Sequence, residues 1–264
     1  MTFTDESPSS SPSLSLAGRR AVVTGSTSGI GAATVRLLAA RGAHVVVTGR
    51  DHRRGEGVAS DIRRDGGVAT FVPADLSAAP AELRATARSW ASALNGSVDL
   101  LVHNAAVCPA VDTFSLTDED LEASLAVNVR APHVLTAALA PRMIERGDGV
   151  IVVVGSWMAT VGHAIVGLYS ATKAAEEQLA RSWAAELGPR GVRVNTVSPG
   201  ATRTPINDDA ADIVTQMTAG TPGGRPGRPD EVATAIAWLA SPQATYIHGA
   251  TLAVDGGITS TRPA

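Results

Sequence analysis

The chain has 264 residues, enough for one or two domains, with 44% hydrophobic and 18% charged residues, so most of it can support a buried core. Its 22 basic against 25 acidic side chains leave a formal charge of −3, which excludes a nucleic-acid binder held by phosphate neutralisation. One cysteine, Cys108, rules out an intramolecular disulfide and a cysteine-rich metal site, so no metal is expected. No apolar run approaches the roughly 20 residues that span a bilayer, and no membrane partner is expected.

Residues 1–16 are dominated by Ser, Pro and Thr and carry Asp5 and Glu6 in place of a basic start. They are expected to form a disordered tail, and without the features of a secretory signal the expected location is the cytoplasm. Short apolar runs then follow in turn: Ala21-Val22-Val23, Val45-Val46-Val47, Leu100-Leu101-Val102, Ile151-Val152-Val153-Val154, the set Val192, Val194 and Val197, and Thr251 to Val254. Each is rich in β-branched residues and bounded by Gly, Asn or Asp, as for strands buried on both faces.

Helical spacing fills the intervals. Ile30, Ala33, Leu37 and Leu38 fall at i, i+3, i+7 and i+8 and stop at Gly42. Thr117, with Asp120 three residues on, caps a longer helix that Pro132 and Pro141 bend or segment. Ala175, Leu179, Trp183 and Leu187 step by four until Gly188-Pro189. The alternation predicts a single α/β domain over residues 17–264, a doubly wound, mostly parallel seven-stranded sheet with helices on both faces.

Thr24-Gly25-Ser26-Thr27-Ser28-Gly29-Ile30-Gly31 falls between the first strand and the first helix. Glycines there allow a pyrophosphate to approach backbone N–H groups, and the helix N-terminus adds partial positive charge. The spacing Gly-x3-Gly-x-Gly differs from the usual dinucleotide fingerprint. With its leading Thr it resembles the short-chain dehydrogenase/reductase family, and that resemblance runs from about residue 19 to 258. It implies a Rossmann-type fold and a cofactor site that includes Gly25, Ser26, Thr27, Ser28, Gly29, Ile30 and Gly31.

Further motifs carry the resemblance. His103-Asn104-Ala105-Ala106 is similar to the family's Asn-Asn-Ala-Gly, which implies that Asn104 and Ala105 border the adenosine. Asp75, followed by Leu76, matches the position that contacts the adenine. Pro199-Gly200-Ala201-Thr202-Arg203-Thr204 matches the segment that meets the nicotinamide, which implies roles for Pro199, Gly200, Thr202 and Thr204. Val254-Asp255-Gly256-Gly257 resembles a last-strand motif linked to subunit packing, and family members are commonly homotetramers. The helices at 117–146 and 169–187 are expected at one such interface.

Tyr169 and Lys173 are four residues apart at the start of a predicted helix, so both project from one face. Lys173 is the only lysine, against 21 arginines, and Tyr169 is one of 2 tyrosines, so the spacing has little chance of being accidental. A phenol with a pKa of about 10 exchanges protons poorly near neutrality. An ammonium about 4 Å away, at an effective dielectric near 20, is worth roughly 4 kcal/mol, or about 3 pK units toward the phenolate. Ser156, thirteen residues before Tyr169, can donate to the substrate oxygen. The resemblance makes Ser156, Tyr169 and Lys173 catalytic and adds Asn128, which in the family holds a water linking the lysine to solvent. It also implies that Lys173 binds the nicotinamide ribose.

The second strand ends in Gly49-Arg50, where an NAD-preferring enzyme usually has an acid. The guanidinium of Arg50 suits a 2′-phosphate, so NADP is expected over NAD, with Asp51 one position too late for the acidic role. The resemblance places Ser156, Trp157, Met158, Tyr169 and the stretch from Cys108 to Val111 around the substrate, with His163 and Asn207 as polar candidates. Residues 201–228 read as a substrate lid that ends in a Gly- and Pro-rich hinge. A carbonyl or secondary alcohol is the expected small-molecule substrate. The alternatives are a 3-oxoacyl-acyl-carrier-protein reductase, with Arg146 and Arg190 as the carrier's docking charges, and a non-catalytic NADP-binding sensor.

Overall fold

The computed structural model describes residues 14–205 and 210–261. Its strands are β1 (Arg20–Val23), β2 (His44–Val47), β3 (Val68–Phe71), β4 (Leu100–His103), β5 (Gly149–Val154), β6 (Val192–Pro199) and β7 (Thr251–Val254). They form one sheet in the order β3-β2-β1-β4-β5-β6-β7, and every pairing is parallel. Between them lie α1 (Gly29–Ala40), α2 (His52–Arg64), α3 (Pro80–Ala93), α4 (Asp118–Leu125), α5 (Ala131–Arg146), α6 (Gly167–Leu187), α7 (Ala211–Ala219) and α8 (Pro229–Ala240).

Alternation along each strand divides the core in two. Ala21, Val23, Val152 and Val154 pack with α1, α2 and α8, while Val22, Ile151 and Val153 face the opposite side with α3, α5 and α6. Helices on both faces leave β5 buried along its whole length, which is why it reads as an unbroken apolar run. β3 gave no such run because it is the edge strand, with Val68 56% exposed. In α1 the buried set is Gly31, Ala32, Thr34, Val35, Leu38 and Ala39, and of the expected helical stripe Leu38 is buried, Ile30 and Leu37 are half-buried against the same core, and Ala33 is half-buried.

Two boundaries move. Leu16, assigned to the tail, is 2% exposed and its N–H donates to the Arg41 carbonyl, so packing begins ahead of residue 17. The rest of the expected tail up to residue 13 lies outside the described residues. The single helix expected over 117–146 is α4 and α5 joined by a π-helical turn, Ala126–Arg130. Thr117 caps α4 through Asp120 as expected, Pro132 sits in the first turn of α5, and Pro141 lies inside it.

Strand order reverses between β1 and β4, which opens a crevice at the carboxyl ends of the strands. The opposite end of the sheet is closed by Asp99, whose carboxylate accepts from Arg20 Nε and a terminal guanidinium nitrogen at 2.8 Å each and from Arg146 at 2.9 Å. Burial pushes this carboxyl up, but the Arg20 bonds and the two guanidinium charges hold it below the usual range.

Candidate active site

The carboxyl ends of β4, β5 and β6 and the first turns of α6 converge on one polar cluster. Ser156 follows β5, is buried, and accepts from the Met158 N–H at 3.2 Å, with its hydroxyl near enough to the Tyr169 phenol to favour the phenolate. Lys173 Nζ stands 5.9 Å from the centre of the Tyr169 ring, one helical turn below it. The ammonium donates to the Val154 carbonyl at 2.8 Å and to Glu176 Oε2 at 2.6 Å. The expected grouping of Ser156, Tyr169 and Lys173 is therefore present in space.

Electrostatics at the cluster differ from the expectation. Burial pushes the Tyr169 phenol up, and the Lys173 ammonium and the Ser156 hydroxyl oppose that without reversing it. The picture of a phenol drawn down toward neutrality by the lysine is corrected, because the simple charge-pair argument omitted the cost of desolvating a phenolate. Burial likewise pulls Lys173 down, yet attraction to Glu176 and Tyr169 outweighs it and keeps the ammonium charged.

Asn128 lies in the π-helical turn, fully buried. Its Nδ2 donates to the Val107 carbonyl and to Thr172 Oγ1, each at 2.9 Å, and its Oδ1 accepts from the Val107 N–H at 2.9 Å. The side chain thus ties the loop after β4 to α6 beside Lys173. Thr172, which accepts from Asn128, adjoins Lys173 in sequence and donates to the Tyr169 carbonyl at 2.8 Å.

Two acids were missed. Glu176 and Glu177 are both buried on α6, at three and four residues beyond Lys173 and so on its face. Burial pushes the Glu177 carboxyl up and the nearby Ser156 backbone and Ser198 side chain oppose that, while its Oε1 has no hydrogen-bond partner among the described residues. A Cβ on Gly155 would come 2.4 Å from Glu177 Oε1, so glycine leaves the space this carboxyl fills. The available signal was the buried stripe of Ala180, Trp183, Ala184 and Leu187, which continued backward falls on Glu177, Glu176, Lys173 and Thr172.

The glycine-rich turn has the form expected of an anion site. Ser28 at the N-cap of α1 makes no side-chain capping bond, which leaves first-turn N–H groups for a ligand's oxygens. Gly25 and Gly29 have positive φ, and a Cβ on Gly29 would approach the Thr204 methyl to 3.4 Å, placing Thr204 across from the turn. A Cβ on Gly31 would fall 2.5 Å from the Gly25 carbonyl, so that glycine serves helix packing. Asn104 steadies the crevice by donating to the Thr24 and Gly25 carbonyls, while Thr24 Oγ1 accepts from the N–H groups of Asn104 and Ala105. His103, where the resembling motif has Asn, is buried against Thr136 and Trp183, and burial lowers it to about 3, leaving it neutral.

Around the adenosine end, Arg50 is exposed and close enough to Asp75 to lower it, after the larger effects of the two Ser77 bonds. Leu76 is half-buried against the α3 side of the core. Asp51 caps α2, accepting from the Arg54 N–H and pairing with its guanidinium at 2.7 Å, so it is engaged away from any ribose. These residues fit a nicotinamide dinucleotide at this end of the crevice.

On the substrate side, Trp157 and Met158 are half-buried and Cys108 is near enough to Tyr169 to affect it. A cavity lined by Pro109, Val111, Asp112, Leu116 and Leu168 lies beside them. His163 has an unpartnered Nδ1 among the described residues, and Asn207 lies outside those residues. The ends of the expected lid are pinned to each other, with the Gly227 N–H donating to the Ala201 carbonyl and the Arg203 N–H to the Gly227 carbonyl. Arg146 is held by Asp99 and the Val98 carbonyl, and Arg190 sits at the surface 3.5 Å from Glu186.

A crevice that combines a phosphate-ready turn with a half-buried tyrosine beside a buried lysine has the makings of nicotinamide-dependent oxidoreductase chemistry, and known proteins agree. Residues 25–259 match the family described as Enoyl-(Acyl carrier protein) reductase. The chain is 39% identical over 253 residues to an L-rhamnose 1-dehydrogenase (NAD(P)(+)) of Azotobacter vinelandii, covering 92% of this chain and 97% of that one. It is 40% identical over 246 residues to a cis-4-hydroxycyclohexanecarboxylate dehydrogenase of Sinomonas cyclohexanicum, covering 92% and 98%. A putative NAD(P)-dependent gluconate 5-dehydrogenase from Beutenbergia cavernae, solved with NADP bound, superposes with a TM-score of 0.88 at 37% identity, over 94% of this chain and 99% of that one. The chain belongs to the short-chain dehydrogenase/reductase family, and it is one of that family's enzymes. Among the described residues, no helix is long and apolar enough to cross a membrane.

Proposed function

We propose that this enzyme interconverts a small secondary alcohol and its ketone with NADP(H), as a homotetramer of the cytoplasm. The observation that carries the reading is the Ser156–Tyr169–Lys173 cluster at the carboxyl ends of the strands, with Ser156 and Lys173 buried and Tyr169 half-buried. NADP carries the hydride. Tyr169 gives its proton to the substrate oxygen on reduction and takes it back on oxidation. Ser156 donates to the same oxygen and orients it beside the phenol. Lys173, whose Nζ has two protein partners and three N–H bonds, retains one donor for a ribose hydroxyl. The turn from Gly25 to Gly31 holds the pyrophosphate, and Asn104, Ala105, Asp75 and Leu76 frame the adenosine. Pro199, Gly200, Thr202 and Thr204 close the nicotinamide end, with residues 201–228 as the lid.

A free hydroxylated ring or sugar is favoured over a carrier-bound acyl chain. The two relatives are named for such substrates, and Arg146 and Arg190 are engaged within the chain. NADP is favoured by the exposed guanidinium of Arg50 and by the commitment of Asp51 to α2. Cofactor turnover across sugars, polyols, cyclohexanols and acyl thioesters tests the substrate class, and turnover confined to thioesters would overturn it. Arg50→Ala should weaken NADP by about 1.5–3 kcal/mol and leave NAD nearly unchanged. Paired binding titrations measure this, and equal losses would show that Arg50 only supports its loop.

A further inference from the structure

The ion pair beneath the active site places a carboxyl where the reading above has no use for one. Glu176 Oε2 is 2.6 Å from Lys173 Nζ, and both side chains are sealed, at 0% and 2% exposure. The other oxygen, Oε1, has no hydrogen-bond partner among the described residues. A structural salt bridge would satisfy both oxygens at burial this complete, since an unpaired buried acceptor costs about 1–3 kcal/mol. Glu177 likewise leaves its Oε1 without a hydrogen-bond partner among the described residues, but it makes no ion pair with the lysine and acts on it only through its charge at longer range.

We propose that Glu176 is a positioning residue for the catalytic pair, a carboxyl that holds the Lys173 ammonium and competes with Tyr169 for its charge. The inference rests on the reading of Tyr169 and Lys173 as that pair. With Glu176 ionised, the lysine's charge is largely neutralised and Tyr169 keeps its proton more tightly. With Glu176 protonated, the ammonium's charge acts on the phenol with only the more distant Glu177 opposing it. Burial pushes Glu176 up to about 7 against the attraction of Lys173, so the exchange between these states falls in the working range.

The other titratable and charged groups that face the pair come from several elements. On α6 itself these are Tyr169, Glu177 and Arg181. β4 and the loop after it bring His103, which burial keeps neutral, and Cys108, whose thiol burial pushes up. β5 contributes the Val154 carbonyl, β6 the Ser198 hydroxyl, and the π-helical turn Asn128. On α5, His133 lies against Trp183, and on α4, Asp118, Glu119 and Glu122 are exposed.

The chain's own composition makes the test direct. It has 2 tyrosines, and the other, Tyr246, is 99% exposed. In a Tyr246→Phe background, ultraviolet difference absorbance of the phenolate follows Tyr169 alone. Glu176→Gln in that background should lower the Tyr169 titration by about one pH unit, the low end of a single nearby charge's effect. Coincident titrations, or a shift upward, would overturn the proposal. A second measurement needs no substitution at Glu176. Lys173 is the only lysine, so carbon-13 labelling gives one ε-carbon signal in the nuclear magnetic resonance spectrum. That signal should show a titration step near 7 in the wild-type protein, and a flat trace from mildly acidic to mildly alkaline pH would overturn the proposal even if the Gln variant failed to fold. Activity of Tyr169→Phe separates the two readings. A live variant would sink the catalytic assignment, whereas a dead one with coincident titrations would sink the Glu176 inference alone.

Discussion

The two halves of α6 bury the same face of one helix and fill it with opposite chemistry. From Ala180 to Leu187 the face is Ala180, Trp183, Ala184 and Leu187, packed into the core shared with α3 and α5. From Thr172 to Glu177 it is Thr172, Lys173, Glu176 and Glu177. The first of these faces follows from transfer of apolar surface out of water, which any similar-sized apolar residue would serve. The second requires each charge to find a partner, so position and identity are fixed together. Stability of the helix is thus concentrated at its carboxyl half and chemistry at its amino half.

Substitutions can break that division, and the largest effect is expected in the polar half. Tyr169→Phe should cost about 10²–10⁴ in turnover, the usual scale of a general acid, while NADP binding stays near the wild-type value. Lys173→Arg should also fail, because a fixed guanidinium fork cannot replace an ammonium aimed at Val154 and Glu176. Steady-state turnover alongside a cofactor titration measures both, and activity in Tyr169→Phe above a few per cent of wild type would count against the assignment. In the apolar half, Trp183→Ala should remove about 3–5 kcal/mol of stability in a denaturant titration. The pH dependence of its residual turnover should match the wild type, and a displaced profile would mean that the halves are coupled.

A smaller effect sharpens the contrast through pH. The Glu176 carboxyl is raised from 4.5 to about 7, so the folded chain holds a proton across that window that the unfolded chain has released. Stability from this group is therefore present at low pH and is lost as pH rises through about 7. Glu176→Gln removes the titration. The melting temperature of the Gln variant minus that of the wild type should grow over the same interval and then level off. A constant difference would show that Glu176 does not change protonation there.

The same contrast explains how much could be read from the chain alone. The strands, the glycine-rich turn and the Tyr169–Lys173 spacing are local patterns, and local patterns survive in sequence. β3 escaped the apolar-run criterion because one of its sides is a sheet edge, and the α1 stripe was incomplete because Thr34 and Gly31 are buried without being apolar. Glu176 and Glu177 escaped because acids on a helix are ordinarily taken as its wet face. Only the stripe extended from Trp183 and Ala180 reveals that they point inward. The net rise of the Tyr169 phenol was hidden for a related reason, since burial of a group cannot be judged from its spacing to one partner.

The π-helical turn at Ala126–Arg130 has a consequence for how this chain can change in length. A wide turn of this kind amounts to one residue added to a regular helix, and each residue of a regular helix advances it by about 100°. Because the wide turn absorbs that residue, α5 keeps Ala131, Leu135 and Leu139 in the core, whereas a further residue added or lost elsewhere in the helix would rotate them out. Loss of one residue from the turn itself would restore regular winding and remove the widening that sets Asn128 against Val107 and Thr172. Insertions and deletions should therefore accumulate in the surface connections and be excluded from these five positions, whose number is constrained as tightly as their identity.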